Sequence, residues 1–283
     1  MKTNLKAVAK IKPLDRWLPL VFGLISLVFL LPILVLVNTS VRSDPDFLTR
    51  GAFNLPQALN FKNFLEAWRI GDFSTTYKNS AIITLIKVPL GLLISALAAY
   101  PLAKVRFRLN NAIFIYFVAG LAIPIHVALL PLFIIERNLG LLGTIWALLP
   151  PYVAFGLPLQ IFVLRGFMKL IPSELMEAAR VDGASEFVTF SRILVPLIAP
   201  AVATLAILDA VATWNEFLMA LVLLPDTGTR TLPLGLQNFF NQFSGSFTLL
   251  SAGLVIGVVP LLIVYIFLQR YLVSGLAGGA VKG

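Results

Sequence analysis

The sequence predicts an all-α integral membrane protein with six transmembrane helices and both termini in the cytoplasm. Three observations carry that reading. Of the 283 residues, 59% are hydrophobic and only 12% charged, against roughly 25% charged in an ordinary soluble domain. Six apolar runs, near residues 18–38, 80–103, 111–134, 144–164, 196–223 and 247–268, are long enough to cross a hydrocarbon core of about 30 Å. Lys and Arg are unevenly divided among the connections, as they are where basic residues mark the cytoplasmic side. With the N-terminus inside, 14 of the 22 fall in the inner segments 1–17, 104–110, 165–195 and 269–283. Seven fall outside, five of them in the long 39–78 segment, where the rule is weak. The whole chain reads as one membrane domain.

The first span follows Lys2, Lys6, Lys10, Lys12 and Arg16 and runs from Leu18 to Val37. It is too long for the apolar region of a signal peptide, and no small-residue cleavage pattern follows it, so it is read as retained. The 39–78 segment mixes charges with Pro, Gly and aromatic residues and predicts a small structured outer loop. The second span holds Lys87, the only lysine inside a span. The third and fourth are interrupted by "IPIH" at 123–126 and "LLPPYVAFGLP" at 148–158. Such breaks persist where neighbouring helices or a wet cavity satisfy the freed backbone groups. In the sixth, "GLVIG" from Gly253 to Gly257 fits packing of small residues between helices.

Ionisable groups inside spans are costly and usually face a bundle interior or water. Asp209, Thr213 and Glu216 fall at i, i+4 and i+7 of the fifth span and share a face. Together with Asn215 and His126 they are the candidate lining of a substrate pathway, the alternative being packing between helices. Counting about 1.5 Å per residue from the span ends puts Lys87 and Asp209 at matching depth. A pair would offset the burial of both charges, although Lys87 has the reach to snorkel.

Several function classes are excluded. There is no cysteine, and His126 is the only histidine, so neither a disulfide frame nor a multi-histidine metal site is available. The formal charge of +9 reflects membrane orientation rather than a nucleic-acid partner. No paired-aspartate motif or nucleophile with its base suggests an enzyme. No Gly-Lys dipeptide occurs anywhere, so the chain has no phosphate-cradling loop of its own for ATP.

One inner segment is out of character. In "EAARVDGASEFVTFSRILVP", Glu177 to Pro196, acidic residues and arginines surround a glycine. Ser173 is a candidate N-cap with Glu174 in the first turn, and the helix should stop near Gly183, which tolerates positive φ. A second short helix is expected from Ser185, burying Phe187, Phe190 and Leu194.

Glu177-Ala178-Ala179, then Gly183, Ile193 and Pro196, is similar to the EAA loop of bacterial ABC importer permeases, departing from its pattern only at Val195, where the family has Leu. "IPSELMEAARVDGAS" at 171–185, "TWNEFL" at 213–218, "TLPLGLQNF" at 231–239, "NSAIITLIKVPLGLLISALAAYPLAK" at 79–104 and the ending "QRYLVSGLAGGAVKG" together resemble the carbohydrate-type permeases related to the maltose system's smaller channel subunit. The resemblance implies a sugar or polyol importer subunit of the bacterial inner membrane, working by alternating access. Its implied partners are a second, homologous permease, two ABC ATPase subunits that use ATP and Mg, and an extracytoplasmic sugar-binding protein. The chain itself would bind no cofactor. It also implies that Glu177, Ala178, Ala179, Asp182, Gly183, Ile193 and Pro196 form the coupling loop to the ATPases. The residues alone leave open an ion-coupled secondary transporter acting through Lys87, Asp209 and Glu216.

Overall fold

A computed structural model describes residues 13–242 and 246–280, with side chains over 17–240 and 246–267. The basic cluster at 2–12 and the end of the tail therefore lie outside the described residues. In chain order the helices are α1 (Pro13–Ser40), α2 (Asp44–Arg50), α3 (Lys62–Ile70), α4 (Phe73–Lys104), α5 (Asn110–Ala119) and α6 (Ile125–Asn138). Then come α7 (Leu149–Leu170), α8 (Glu174–Val181), α9 (Glu186–Val188), α10 (Val195–Trp214), α11 (Leu218–Leu223), α12 (Leu232–Gln242) and α13 (Phe247–Ala280). Among the described residues there is no strand.

Five stretches are long and apolar enough to cross a membrane: Trp17–Ser40, Phe73–Lys104, Ile145–Leu170, Glu186–Trp214 and Phe247–Phe267. The expected third span is not straight. Its halves, Asn110–Ala122 and Ile125–Asn138, meet at 98°, and they make a sixth span only if the bent pair is counted as one. Pro124 is the cause: it offers no N–H and drives the residue before it out of the helical region, and Ile123 is extended at φ −81°, ψ 112°.

The fifth span also differs from expectation, ending at Trp214 rather than near 223. Asn215 donates its side-chain amide to the Val211 carbonyl at 3.0 Å, offering the backbone an alternative to helix. One residue on, the Glu216 carboxylate accepts from the Met219 and Ala220 N–H groups at 2.8 and 3.1 Å. It satisfies two of the donors that a new helix, α11, leaves orphaned.

The chain divides into two compact units, residues 1–67 with 243–256 and residues 68–242 with 257–283. The first is organised around Arg42, which is fully buried. Its guanidinium donates to Asp46 Oδ2 at 2.7 Å, to the Asp46 carbonyl at 2.7 Å and to the Gly51 and Asn54 carbonyls at 2.6 and 3.1 Å. The Arg42 hydrogen bond holds the Asp46 carboxyl below the usual carboxylate range. Asn63 donates to the Ser40 and Arg42 carbonyls at 2.9 and 2.7 Å. A segment too polar to span thus orders itself by giving one buried charge a full set of partners.

In the second unit α4 packs on α7 and α10. One buried cluster joins Leu92, Leu164, Ile198 and Leu205 of these helices to Met176 of α8 and Phe190. A second joins Ile83, Leu148, Tyr152, Met219 and Leu234. The N-terminal half of α4 anchors the segment leading into α12: Asn79 donates to the Gly228 and Arg230 carbonyls, and Ser80 Oγ accepts from Leu232 N–H. Gly235 is required there, because a Cβ would lie 2.5 Å from the Gly71 carbonyl oxygen. At Gly257 a Cβ would meet only Leu236 and Leu232, at 3.7 and 3.8 Å, so this member of "GLVIG" makes no approach within the unit that needs glycine.

Candidate functional site

Two features of the second unit carry chemistry. The first is the segment 173–196. Ser173 has helical dihedrals and makes no side-chain cap bond; it contributes instead its carbonyl to the Met176 and Glu177 N–H groups. At the other end Gly183 takes φ +80°, and Ala184 N–H reaches back to the Ala179 carbonyl at 2.9 Å, as in a left-handed helix cap. No atom lies within 4 Å of where a Cβ on Gly183 would stand, so the turn, not crowding, calls for glycine.

The expected second short helix is not a separate element. Ser185 caps it, accepting from Val188 N–H at 3.3 Å. The helix then runs through a π-helical turn, Thr189–Leu194, directly into α10. Phe190 and Leu194 are buried as expected, but Phe187 is 73% exposed. The wide π turn rotates Phe187 off the face that carries the other two.

Of the coupling set, Glu177, Ala178, Asp182, Gly183 and Pro196 are exposed, Ile193 is half-buried and Ala179 is buried. Glu186 ties this surface to a span: it accepts from Arg180 Nε at 2.8 Å and from the Tyr100 hydroxyl of α4 at 2.6 Å. Lys104, at the end of α4, donates to the Ile171 carbonyl just before α8.

The second feature is a cavity of about 230 Å³ among α4, α7 and α10. Lys87, 3% exposed, donates to Asp209 Oδ1. Glu216 accepts from the Tyr152 hydroxyl, and Thr213 lines the same space. Asn215 and His126 do not line it: both are exposed, and Ile125 faces the cavity in place of its neighbour.

Gln160 is a member that sequence reasoning did not single out. It is 2% exposed, its Oε1 accepts from Ser95 Oγ at 2.7 Å, and it lines the cavity. The available signal was its being the only side-chain amide in the fourth apolar run. Gly156 makes room for the polar group: a Cβ there would stand 3.2 Å from Gln160 Nε2 and 3.3 Å from Lys87 Nζ. Among the described residues no set of three His, Cys, Asp or Glu groups is placed to hold a metal.

Apolar helices, one pair of them sharply bent, line a largely apolar cavity that carries Lys87, Gln160, Asp209 and Glu216, and a charged segment follows α7. The chain belongs to the family described as binding-protein-dependent transport system inner membrane components, matched over residues 89–278. It is thus a multi-pass inner-membrane protein. It is 35% identical over 278 residues to an arabinooligosaccharides transport system permease of Halalkalibacterium halodurans, covering 97% of this chain and 99% of that one. It is 32% identical over 269 residues to the melibiose/raffinose/stachyose import permease of Bacillus subtilis, covering 95% and 97%. Among solved structures, a chain of a bacterial ABC transporter that imports the acidic polysaccharide alginate aligns with a TM-score of 0.78 at 25% identity, over 95% of this chain and 99% of that one.

Proposed function

We propose that the chain is one half of a two-permease channel that passes a sugar or related polyol into the cytoplasm by alternating access. Two separate ATPase subunits supply the energy, and an extracytoplasmic sugar-binding protein delivers the substrate. The observation that carries this reading is the exposed surface around Glu177 and Gly183, rooted through Met176 and Phe190 in the same buried cluster as α4, α7 and α10. The sequence contains no phosphate-cradling loop, so ATP energy must enter through a protein contact, and a push on α8 is transmitted to three spans at once. The cavity holding Lys87, Asp209, Thr213 and Glu216 lies on the substrate pathway.

Orientation is the first test. Single cysteines replacing Ser43 and Thr227 should react with an impermeant thiol reagent from outside, and one replacing Ser173 should not. All three side chains are exposed, and no native cysteine interferes. Labelling of Ser173→Cys from outside would exclude ATPase docking at α8. Transport is the second test. In proteoliposomes holding the whole complex, uptake of radiolabelled raffinose and arabinotriose should require both ATP and binding protein for whichever sugar is carried. Uptake driven by an ion gradient without ATP would instead establish a secondary transporter.

A further inference from the structure

We infer that Tyr100 is a positioning residue for coupling: with Lys104 it mounts α8 at both ends on one face of α4, so that a displacement of α8 is delivered to α4 at a fixed angle. This rests on the reading above that the ATPases dock at α8, and adds to it which side chains fix the docking segment and to which span.

Tyr100 and Lys104 stand at i and i+4 at the end of α4 and so share a face. Lys104 Nζ donates to the Ile171 carbonyl, just before α8 begins at Glu174. The Tyr100 hydroxyl donates to Glu186 Oε2 at 2.6 Å, and Arg180 Nε, in the last turn of α8, donates to the other oxygen of the same carboxylate at 2.8 Å. One carboxylate thus joins the end of α8 to α4, at the point where the chain enters the helix that continues into α10. Among the described residues, the side-chain hydrogen bonds that reach segment 171–188 from α4, α7 or α10 both start on α4.

The apolar contacts under the segment act differently. Met176 and Phe190 are buried in the cluster shared by α4, α7 and α10, and the Tyr100 ring lies against Phe190 with centroids 5.4 Å apart. Apolar burial is non-directional, so it holds α8 close to the three spans but does little against rocking about Met176. Hydrogen bonds on either side of that pivot do resist rocking, and the one from Tyr100 is charge-assisted because a carboxylate accepts it. Arg180 and Glu186 are 46% and 57% exposed, and an exposed ion pair by itself contributes little. Its part is to hold the carboxylate where the Tyr100 hydroxyl meets it.

The test is the ratio of sugar taken up to ATP hydrolysed, measured with labelled raffinose and arabinotriose in proteoliposomes holding the whole complex and binding protein. Tyr100→Phe keeps the ring on Phe190 and removes the donor. It should lower the ratio about threefold or more, the scale of one partly exposed hydrogen bond. ATPase retention should stay near the wild-type level, since α8 and its exposed face are intact. Lys104→Met should uncouple in the same way from the other end of α8. Glu186→Gln, which keeps an acceptor, should lower the ratio less than Glu186→Ala, and Arg180→Gln, which leaves the Tyr100 bond in place, less than Tyr100→Phe. Adding Tyr100→Phe to Glu186→Ala should cost nothing further, because the acceptor is already gone. A wild-type ratio in both Tyr100→Phe and Lys104→Met, or additive losses for Tyr100 and Glu186, would overturn the mount and leave the permease reading standing. So would loss of ATPase retention in Tyr100→Phe, which would make the hydroxyl a support of the docking surface alone. If Tyr100→Phe fails to assemble, the two Glu186 variants decide from the exposed side of the same bond, and equal ratios in them would overturn the mount. Wild-type uptake driven by an ion gradient without ATP, or no uptake of either sugar, would overturn both readings.

Discussion

Gly183→Val is expected to disconnect ATP hydrolysis from transport while leaving the chain inserted and paired with the second permease proposed above. Gly183 sits at φ +80° with free space where its Cβ would stand. The cost therefore lies in the backbone, about 1–2 kcal/mol for an L-residue forced into the left-handed region and more for a β-branched one. The chain can relieve it only by re-aiming α8 against the segment after Ser185, and that moves the exposed face carrying Glu177. Glu177→Lys attacks the same face without disturbing the turn, since Glu177 is exposed and reverses sign. Both variants should lower ATPase retention on the tagged permease by about tenfold, the equivalent of about 1.4 kcal/mol, and abolish stimulation of hydrolysis by loaded binding protein in nanodiscs. Ser191→Ala is the control: its hydroxyl bonds only to the Phe187 carbonyl within its own turn, at 2.7 Å. Normal retention and stimulation in both coupling variants would mean that energy enters elsewhere.

The next largest effect is expected in the membrane interior. Lys87 and Asp209 come from α4 and α10 and are buried together. Removing one partner of such a pair typically costs about 3–5 kcal/mol, because the other charge is stranded, whereas replacing both with apolar groups is often nearly neutral. Lys87→Met and Asp209→Leu should each sharply reduce the yield of assembled complex, and the double variant should recover much of it. The readout is monodisperse complex per unit of membrane, arranged as a double-mutant cycle. Strictly additive losses would show that the two side chains do not support each other. Gly156→Ala adds a useful third arm, since its methyl would stand 3.3 Å from the Lys87 ammonium.

Much of this molecule is legible along the chain because the bilayer imposes its pattern on the sequence. The presence of the apolar spans and of the charged segment follows from hydropathy and from residue spacing. Gly183 was legible too, since a glycine ending a short amphipathic helix has few other uses. The breaks were harder to read. Pro124 announced an interruption, but proline inside a helix need not turn it so far: α4 and α13 continue through Pro89 and Pro260, whereas Ile123–Pro124 bends the chain by 98°. The end of α10 at Trp214 depends on where the Asn215 and Glu216 side chains place their hydrogen bonds, and hydropathy does not register that choice.

By itself the sequence determined an all-helical membrane chain without a nucleotide loop, carrying a short set of polar residues whose burial would demand partners. Matching depth along the spans already suggests Lys87 for Asp209, but only the tertiary structure decided the other partners and brought these two into contact. Lys87 and Asp209 are 122 residues apart, and Ser95 and Gln160 are 65 apart. His126 and Asn215, as polar as the rest, are exposed and do not line the cavity. Periodicity assigns a residue to a face of its own helix. Which helix stands opposite that face, and how deep, is set by packing among α4, α7 and α10, where side-chain volume and a missing Cβ at Gly156 position the polar atoms.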